Sequence, residues 1–534
     1  MLVEKILFNG NIITMDREQP QAQAVAIADG RFVAVGQDQE ILALRNDNTE
    51  LIDLEGQTVI PGLGDSHMHL FNLGSAMETV DLSPARSQED ITRIGREFLS
   101  QHPGLTWISG WGWNHDRFAD GQMPTRADLD LISTELPIFF SRTCGHIAVA
   151  NSRALELAGI GTNPEQPEGG QIDLDADGVP TGVLRESALG LVRRLAPKPT
   201  VADYKRMLRA GAEQAVSYGL TSVHSDDLAG RMEEMLQAYQ ELIEEDSLPL
   251  RVTLQVRVYT PEQIDEFLEL RQRFQFPAHT VQYGPIKVMT DGSLGGRTAA
   301  LNAPYADDPT TSGVEVLSQE TVTRILSYAH QQGLQMSGHA IGDRAIEMLL
   351  NAFAAALAEK PQADARPRVI HAQLTTPEIL KRCQELGVVC DIQPVFVGTD
   401  LHIVEQRIGK ERMQTTYAWK TMRKLGIPTA GGSDSPVETC NPLVGIQQAV
   451  TRQDMSGFPE GGWLPEEKLT IEEALELFTL GPAFSAFNEA TRGSISVGKL
   501  ADCVVLDQDL TTVAPEEIAS VKVQATYVGG RRRY

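Results

Sequence analysis

The triplet His67-Met68-His69 places two imidazoles on alternate positions within the apolar run VIPGLGDSHMHL. On a β-strand, alternate side chains share one face, so both rings can address a single metal ion. Three further donor groups stand at the ends of other apolar runs: His339 in LQMSGHA, His371 in RVIHA and Asp434 in IPTAGGSD. Nitrogen and oxygen donors of this kind suit zinc or another borderline divalent ion. Each residue alone fits equally well as a hydrogen-bonded core histidine or a helix-capping aspartate. Only a fold that brings these separate strand ends together makes them one site.

Lys287 lies inside the apolar run Pro285-Ile286-Lys287-Val288-Met289, where an unpaired ammonium is costly to bury. It needs either a salt bridge, with Asp291 or an acidic residue of the stretch between the first two strands, or a lowered pKa. A neutral amine can take up carbon dioxide to form a carbamate, whose two oxygens are able to bridge two ions. The residues by themselves favour the salt bridge. Substrate-facing candidates are Trp113, Asn114 and His146, together with Asp291 and Arg297 in the glycine-rich DGSLGGRTA. Trp113 could pack an apolar group and Arg297 could hold a carboxylate or carbonyl oxygen. The alternatives are a core tryptophan and an arginine paired with a local acid. Glu186 in PTGVLRES is a further acidic candidate, with a structural ion pair as its alternative. His224 could line the pocket, whereas His102, His279, His330 and His402 sit in contexts that suggest the surface.

The elements that must position these residues are legible as apolar runs alternating with helical stretches. Eight candidate strands fall at VIPGLGDSHMHL, LTSVHSDD, LRVTLQVRVY, YGPIKVMTDG, LQMSGHA, RVIHA, VVCDIQ and IPTAGGSD. Segments such as TVTRILSYAHQQ and TPEILKRCQEL, apolar every three to four positions, separate most of them. This α/β pattern predicts a (β/α)8 TIM barrel, in which the C-terminal strand ends form one mouth. His67 and His69 then belong to strand 1, Lys287 to strand 4, His339 to strand 5, His371 to strand 6 and Asp434 to strand 8. Residues 71–201, between the first two strands, are too many for a loop and read as an inserted subdomain. The flanking segments are β-rich with Asn9-Gly10 and Asp29-Gly30 as hairpin turns. The expected organisation is a small β-sandwich from residues 1–58 and 488–534, around a barrel over 59–487.

A net charge of −26 disfavours nucleic acid and anionic membranes as partners, leaving a small-molecule substrate; a homo-oligomer is compatible with the sequence. Five cysteines without CxxC spacing indicate neither a disulfide framework nor a thiolate zinc site, and a reducing cytoplasm fits best. No export signal and no membrane span are read. DGSLGG lacks the ending of a phosphate loop.

The chain resembles the amidohydrolase superfamily, in the YtcJ-like branch that includes N-substituted formamide deformylases. The matching segments, in order, are VIPGLGDSHMHL, GHIAVANSRAL, GVPTGVLRESA, KVMTDGSLGGRTA, SGHAIGDRAI, RVIHAQL, GGSDSPV, LTIEEALELFTLGPA and GSISVGKLADCVVLD. The resemblance implies that His67 and His69 hold one ion and that His339 and His371 hold a second. It also implies that Asp434 binds the first ion and moves protons, and that Lys287 is carboxylated to bridge the pair; the site then takes one or two ions, zinc by preference. The expected reaction is hydrolysis of a non-peptide C–N bond in a small amide or formamide. An esterase, cyclic-amide hydrolase or deaminase would use nearly the same centre, and a metal-free barrel acting as a binding or scaffold protein is the alternative of another class.

Overall fold

In a computed structural model, which describes residues 2–142, 147–167, 169–277 and 279–534, the eight apolar runs form one parallel sheet. Its strands are β1 (Leu63–Met68), β2 (Leu220–Leu228), β3 (Arg251–Arg257), β4 (Val281–Met289), β5 (Met336–Ala340), β6 (Arg368–His371), β7 (Val389–Ile392) and β8 (Thr429–Gly431). Each pairs with the next in sequence, the order of a TIM barrel. Parallel strands covered on both faces are apolar along their length, and β3, β6, β7 and β8 are buried almost throughout. The ring is nearly closed by two backbone bonds just past the last strand: Asp434 N–H donates to His67 O and His69 N–H to Ser435 O, both at 2.8 Å.

Amphipathic helices supply the outer layer. In Asp343–Glu359, Ala345, Ile346, Leu349, Leu350, Phe353 and Ala356 recur at helical spacing and are buried, giving the stripe that packs on the strands. Pro377–Glu385 starts with Thr376 accepting from Ile379 N–H and proline in the first turn, a combination that both satisfies and presets a helix N-terminus. His330 corrects the surface reading: it lies on the buried face of Gln319–Gln331 with Val322, Ile325, Leu326 and Ala329, and its Nε2 lies 2.7 Å from Lys360 O.

Strands from both ends of the chain build two further sheets. One runs Arg31–Gly36, Ala24–Ala28, Lys5–Phe8, Glu50–Asp53; the other runs Arg531–Arg532, Val523–Val528, Cys503–Leu506, Thr58–Pro61, Asn11–Ile13, Gln21–Ala22. Leu7, Ile12, Val25, Phe32, Val59, Val505 and Tyr527 share their core. Asp29-Gly30 is a two-residue hairpin turn with both φ positive, as that turn type requires. Asn9-Gly10 is not a hairpin: it carries the chain from Lys5–Phe8 in one sheet to Asn11–Ile13 in the other.

Residue contacts divide the chain into two compact units, Met1–Leu73 with Tyr204–Tyr534, and Gly74–Asp203. The second holds a six-stranded sheet ordered Gly170–Leu174, Pro180–Glu186, Ile147–Ala150, Ile138–Arg142, Ile108–Trp113, Val80–Asp81. Among the described residues no helix is long and apolar enough to cross a membrane, and Cys383, Cys390, Cys440 and Cys503 are free and buried.

Candidate metal centre

The seam between β8 and β1 sets the first half of the site. Asp65 Oδ1 accepts from His67 N–H at 2.9 Å, while Asp65 Oδ2 accepts from the Ser433 hydroxyl at 2.6 Å. A Cβ at Gly432 would stand 2.8 Å from His67 N, so only glycine lets the two strands come this close. The result is that His67 Nε2 and His69 Nε2 both lie 3.1 Å from Asp434 Oδ1. Ligand atoms of these three residues all fall within 4.8 Å of one another, the one such group among the described residues. Asp434 has φ +57 and His371 φ +83; left-handed backbone at non-glycine residues costs energy and clusters at functional sites.

Hydrogen bonds fix the rings. His67 Nδ1 lies 3.0 Å from Gln255 Oε1 and His371 Nδ1 2.7 Å from Gln393 Oε1. The amide nitrogens donate elsewhere, Gln255 Nε2 to Ser66 O at 3.2 Å and Gln393 Nε2 to Asp391 O at 3.2 Å. Both Oε1 atoms must therefore accept, so each Nδ1 carries the proton and each Nε2 presents a lone pair, as metal-binding imidazoles require. The His67 ring centroid is 5.3 Å from that of His69 and 5.5 Å from that of His371, which in turn is 4.5 Å from that of His339. His339 Nε2 lies 2.9 Å from Gly292 O and 3.3 Å from Asp291 Oδ1, so Nδ1 is the ring nitrogen these contacts leave unused.

Burial, and then the Lys287 charge, lower the His67 pKa to about 4. Its neutral ring thus turns a lone pair between the Asp434 carboxylate oxygen at 3.1 Å and the Lys287 ammonium at 3.2 Å. For His69, burial works downwards but the Asp434 hydrogen bond and the charges of Asp226 and Asp434 prevail and raise the pKa; its Nδ1 is buried without a hydrogen bond. Burial likewise opposes ionisation of Asp434, yet its carboxyl is held well below the usual range, with the hydrogen bond to His69 Nε2 stabilising the charge. Two imidazole nitrogens and an ionised carboxylate converging in this way fit a divalent ion.

Lys287 is buried and donates to Asp226 Oδ2 at 2.8 Å, with His67 Nε2 at 3.2 Å. Asp226 also faces Arg257 Nε at 3.4 Å and His69 Nδ1 at 4.0 Å. The lysine's partner is therefore on β2, neither Asp291 nor an acid of the second unit. Sequence reasoning passed over Asp226, Gln255, Gln393 and Asp65. A signal existed for the first two, since Asp226 and Gln255 are polar residues inside apolar strand sequences, as Lys287 is.

Asp291 is buried beside His339 and accepts from the backbone N–H groups of Ala300, Ile341 and Gly342, tying the loop after β4 to the end of β5. Arg297 pairs with Asp307 at 3.1 and 2.9 Å, and Arg407 binds the same carboxylate. Trp113 is buried in the second unit's core and donates to Phe140 O at 2.9 Å. Asn114 Oδ1 in that unit accepts from Asp116 N–H and from Arg142 Nη2. Glu186 is exposed at the end of its strand, and His146 lies outside the described residues. His224 is buried and faces a small cavity with Thr221, Pro482 and Arg492, beside Gly62 at the start of β1 rather than at the mouth.

Comparison with known proteins decides the family. A family model described as "Amidohydrolase family" matches residues 50–534. The chain belongs to the amidohydrolase family. It is 35% identical to the putative amidohydrolase YtcJ of Bacillus subtilis, over 100% of this chain and 99% of that one. It is 27% identical to an N-substituted formamide deformylase of Arthrobacter pascens, over 99% and 98% of the two chains. Among solved structures, an uncharacterized metal-dependent hydrolase of Pyrococcus furiosus matches with a TM-score of 0.79 at 32% identity, over 95% of this chain and 100% of that one. This amidohydrolase is accordingly an enzyme, a metal-dependent hydrolase acting on carbon–nitrogen bonds.

Proposed function

We propose that this amidohydrolase cleaves the non-peptide C–N bond of a small amide or N-substituted formamide. The observation that carries the reading is the meeting of His67 Nε2 and His69 Nε2 on one oxygen of Asp434, at 3.1 Å each. The formamide class is supported by the relative from Arthrobacter pascens. The four thiols among the described residues, all buried and free, support a cytoplasmic location.

His67, His69 and Asp434 would hold one ion, with His339, His371 and Lys287 placed to hold a second; zinc suits the donors best. When bound, a divalent ion supplies acidification of water and polarisation of a carbonyl. Asp434 takes the proton from the attacking water and delivers it to the leaving nitrogen, with His69 Nε2 holding its carboxylate in place. Gln255 and Gln393 keep the His67 and His371 rings from turning. For Lys287 to become a carbamate, its ammonium would lose a proton to Asp226 Oδ2, 2.8 Å away; the freed amine would form an N–C bond to carbon dioxide as one C=O π pair moves onto oxygen, and a second N–H proton would leave to water.

The test is a panel of N-formyl and N-acyl amines offered to protein stripped of metal and then supplied with zinc. The reading expects zinc-dependent release of amine from at least one of them. Hydrolysis unaffected by stripping, or confined to esters, would overturn it.

A further inference from the structure

The loops after β6, β7 and β8 bring together two carboxylates, each with a donor on one oxygen only. Asp400 ends the short helix Val397–Asp400, and Glu438 follows Asp434 in the β8 loop. The Tyr417 hydroxyl and Gln373 Nε2 both donate to Asp400 Oδ2, the amide at 3.2 Å. Thr399 donates its hydroxyl to Glu438 Oε1 at 3.0 Å. Among the described residues neither carboxylate has an ion-pair partner, and Asp400 Oδ1 and Glu438 Oε2 accept no hydrogen bond. Burial raises the pKa of both acids, and the charge of Asp400 adds to the effect on Glu438.

Gln373 adds an independent sign. It is 3% exposed, and its Oε1 is buried without a hydrogen bond, although its amide group sits against Asp400. An unsatisfied buried carbonyl costs about 1–3 kcal/mol. The Arg452 guanidinium donates from Nε to Trp463 O and from Nη1 to Tyr417 O and stacks on Trp419 and Trp463, while its Nη2 is buried without a hydrogen bond. The cluster borders the metal-side imidazoles: Gln373 follows His371, and the Phe396 ring lies parallel to that of His371 with centroids 6.1 Å apart.

We propose that Asp400, Glu438 and Gln373 form a subsite for a protonated amine or guanidinium on the substrate, so that the amides cleaved carry a cationic group. Such a group supplies several N–H donors at once, satisfies three acceptors and neutralises the two acids. The inference rests on the hydrolase reading above for the word substrate, but not for binding.

The experiment has two arms. Binding of n-butylguanidinium and of neutral n-butylurea to the zinc-loaded full chain is measured by calorimetry. Hydrolysis is followed for a matched pair of formamides, one ending in an ammonium and one in a methyl group. The expected result is preference for the cation in both arms, reduced about tenfold in Asp400→Asn or Glu438→Gln, the scale of one charge-assisted hydrogen bond. In hydrolysis the reduction falls on KM for the cationic member. Glu438 is half-buried, so its variant remains informative if Asp400→Asn fails to fold. Equal binding of the two probes, or a preference unchanged in both variants, would overturn the subsite even with hydrolysis intact. Carboxylate-dependent cation binding without hydrolysis of either amide would support the subsite and sink the hydrolase reading instead.

Discussion

Asp434 and His67 are joined twice: the backbone N–H of Asp434 donates to His67 O at 2.8 Å, and its carboxylate oxygen lies 3.1 Å from His67 Nε2. The first contact nearly closes the barrel and the second forms the site, so the architecture and the chemistry share one seam. If the Asp434 carboxylate moves protons, Asp434→Asn loses turnover far more than metal. The expected fall in kcat is roughly 10²–10⁴-fold, with bound metal measured by elemental analysis reduced much less. Near-normal turnover would remove the proton-transfer role.

The glutamines that orient the imidazoles give a second prediction. Gln255→Leu and Gln393→Leu free the His67 and His371 rings to turn or change tautomer. Metal affinity should fall about 10–100-fold while circular dichroism stays that of the parent protein. An unchanged zinc dissociation constant in both variants would show that the rings are held by packing alone.

Much of this was legible in the sequence, for a physical reason. Strands covered on both faces must be apolar along their length, so the eight runs stand out, and His339, His371 and Asp434 mark where they end. What escaped depends on contacts between distant elements. Asp226 meets Lys287 across the barrel interior, from β2 to β4, and no local spacing encodes that pairing. Asp291 and Arg297 were read as substrate-facing because they follow β4. Their side chains are used by backbone N–H groups and by Asp307, partners that only the folded loop brings near. Asn9-Gly10 has hairpin composition, yet its flanking runs belong to different sheets because the strands that cover them come from elsewhere in the chain.

The buried pair of Lys287 and Asp226 predicts a pattern of stabilities in metal-free protein. Breaking such a pair from one side leaves an uncompensated buried charge, costing about 3–5 kcal/mol. Asp226→Asn and Lys287→Met should each lower the thermal midpoint clearly, and the double variant should lower it by less than the two effects added. Strict additivity would mean that the two side chains do not stabilise each other.

Proton competition sets the pH dependence of metal affinity. His69 has its pKa raised: burial alone would lower it, but the Asp434 hydrogen bond and the Asp226 and Asp434 charges outweigh that. Burial and Lys287 take that of His67 down to about 4. A raised pKa means that His69 carries a proton below it, which an incoming ion must displace, while Asp434 is already ionised. Zinc affinity of stripped protein should therefore rise with pH through the His69 titration and level off above it. As pH falls towards about 4, the affinity should drop more steeply as His67 also takes a proton. Competitive titration with a chromophoric chelator measures this, and an affinity independent of pH between about 5 and 8 would contradict it.

The most direct test of the metal centre is a calorimetric zinc titration of the stripped full chain beside the variant carrying both His67→Ala and His69→Ala. At least one tightly bound ion per chain is expected in the parent protein, with loss of the tight site in the variant and the fold retained. Equal zinc binding by the two proteins would contradict it.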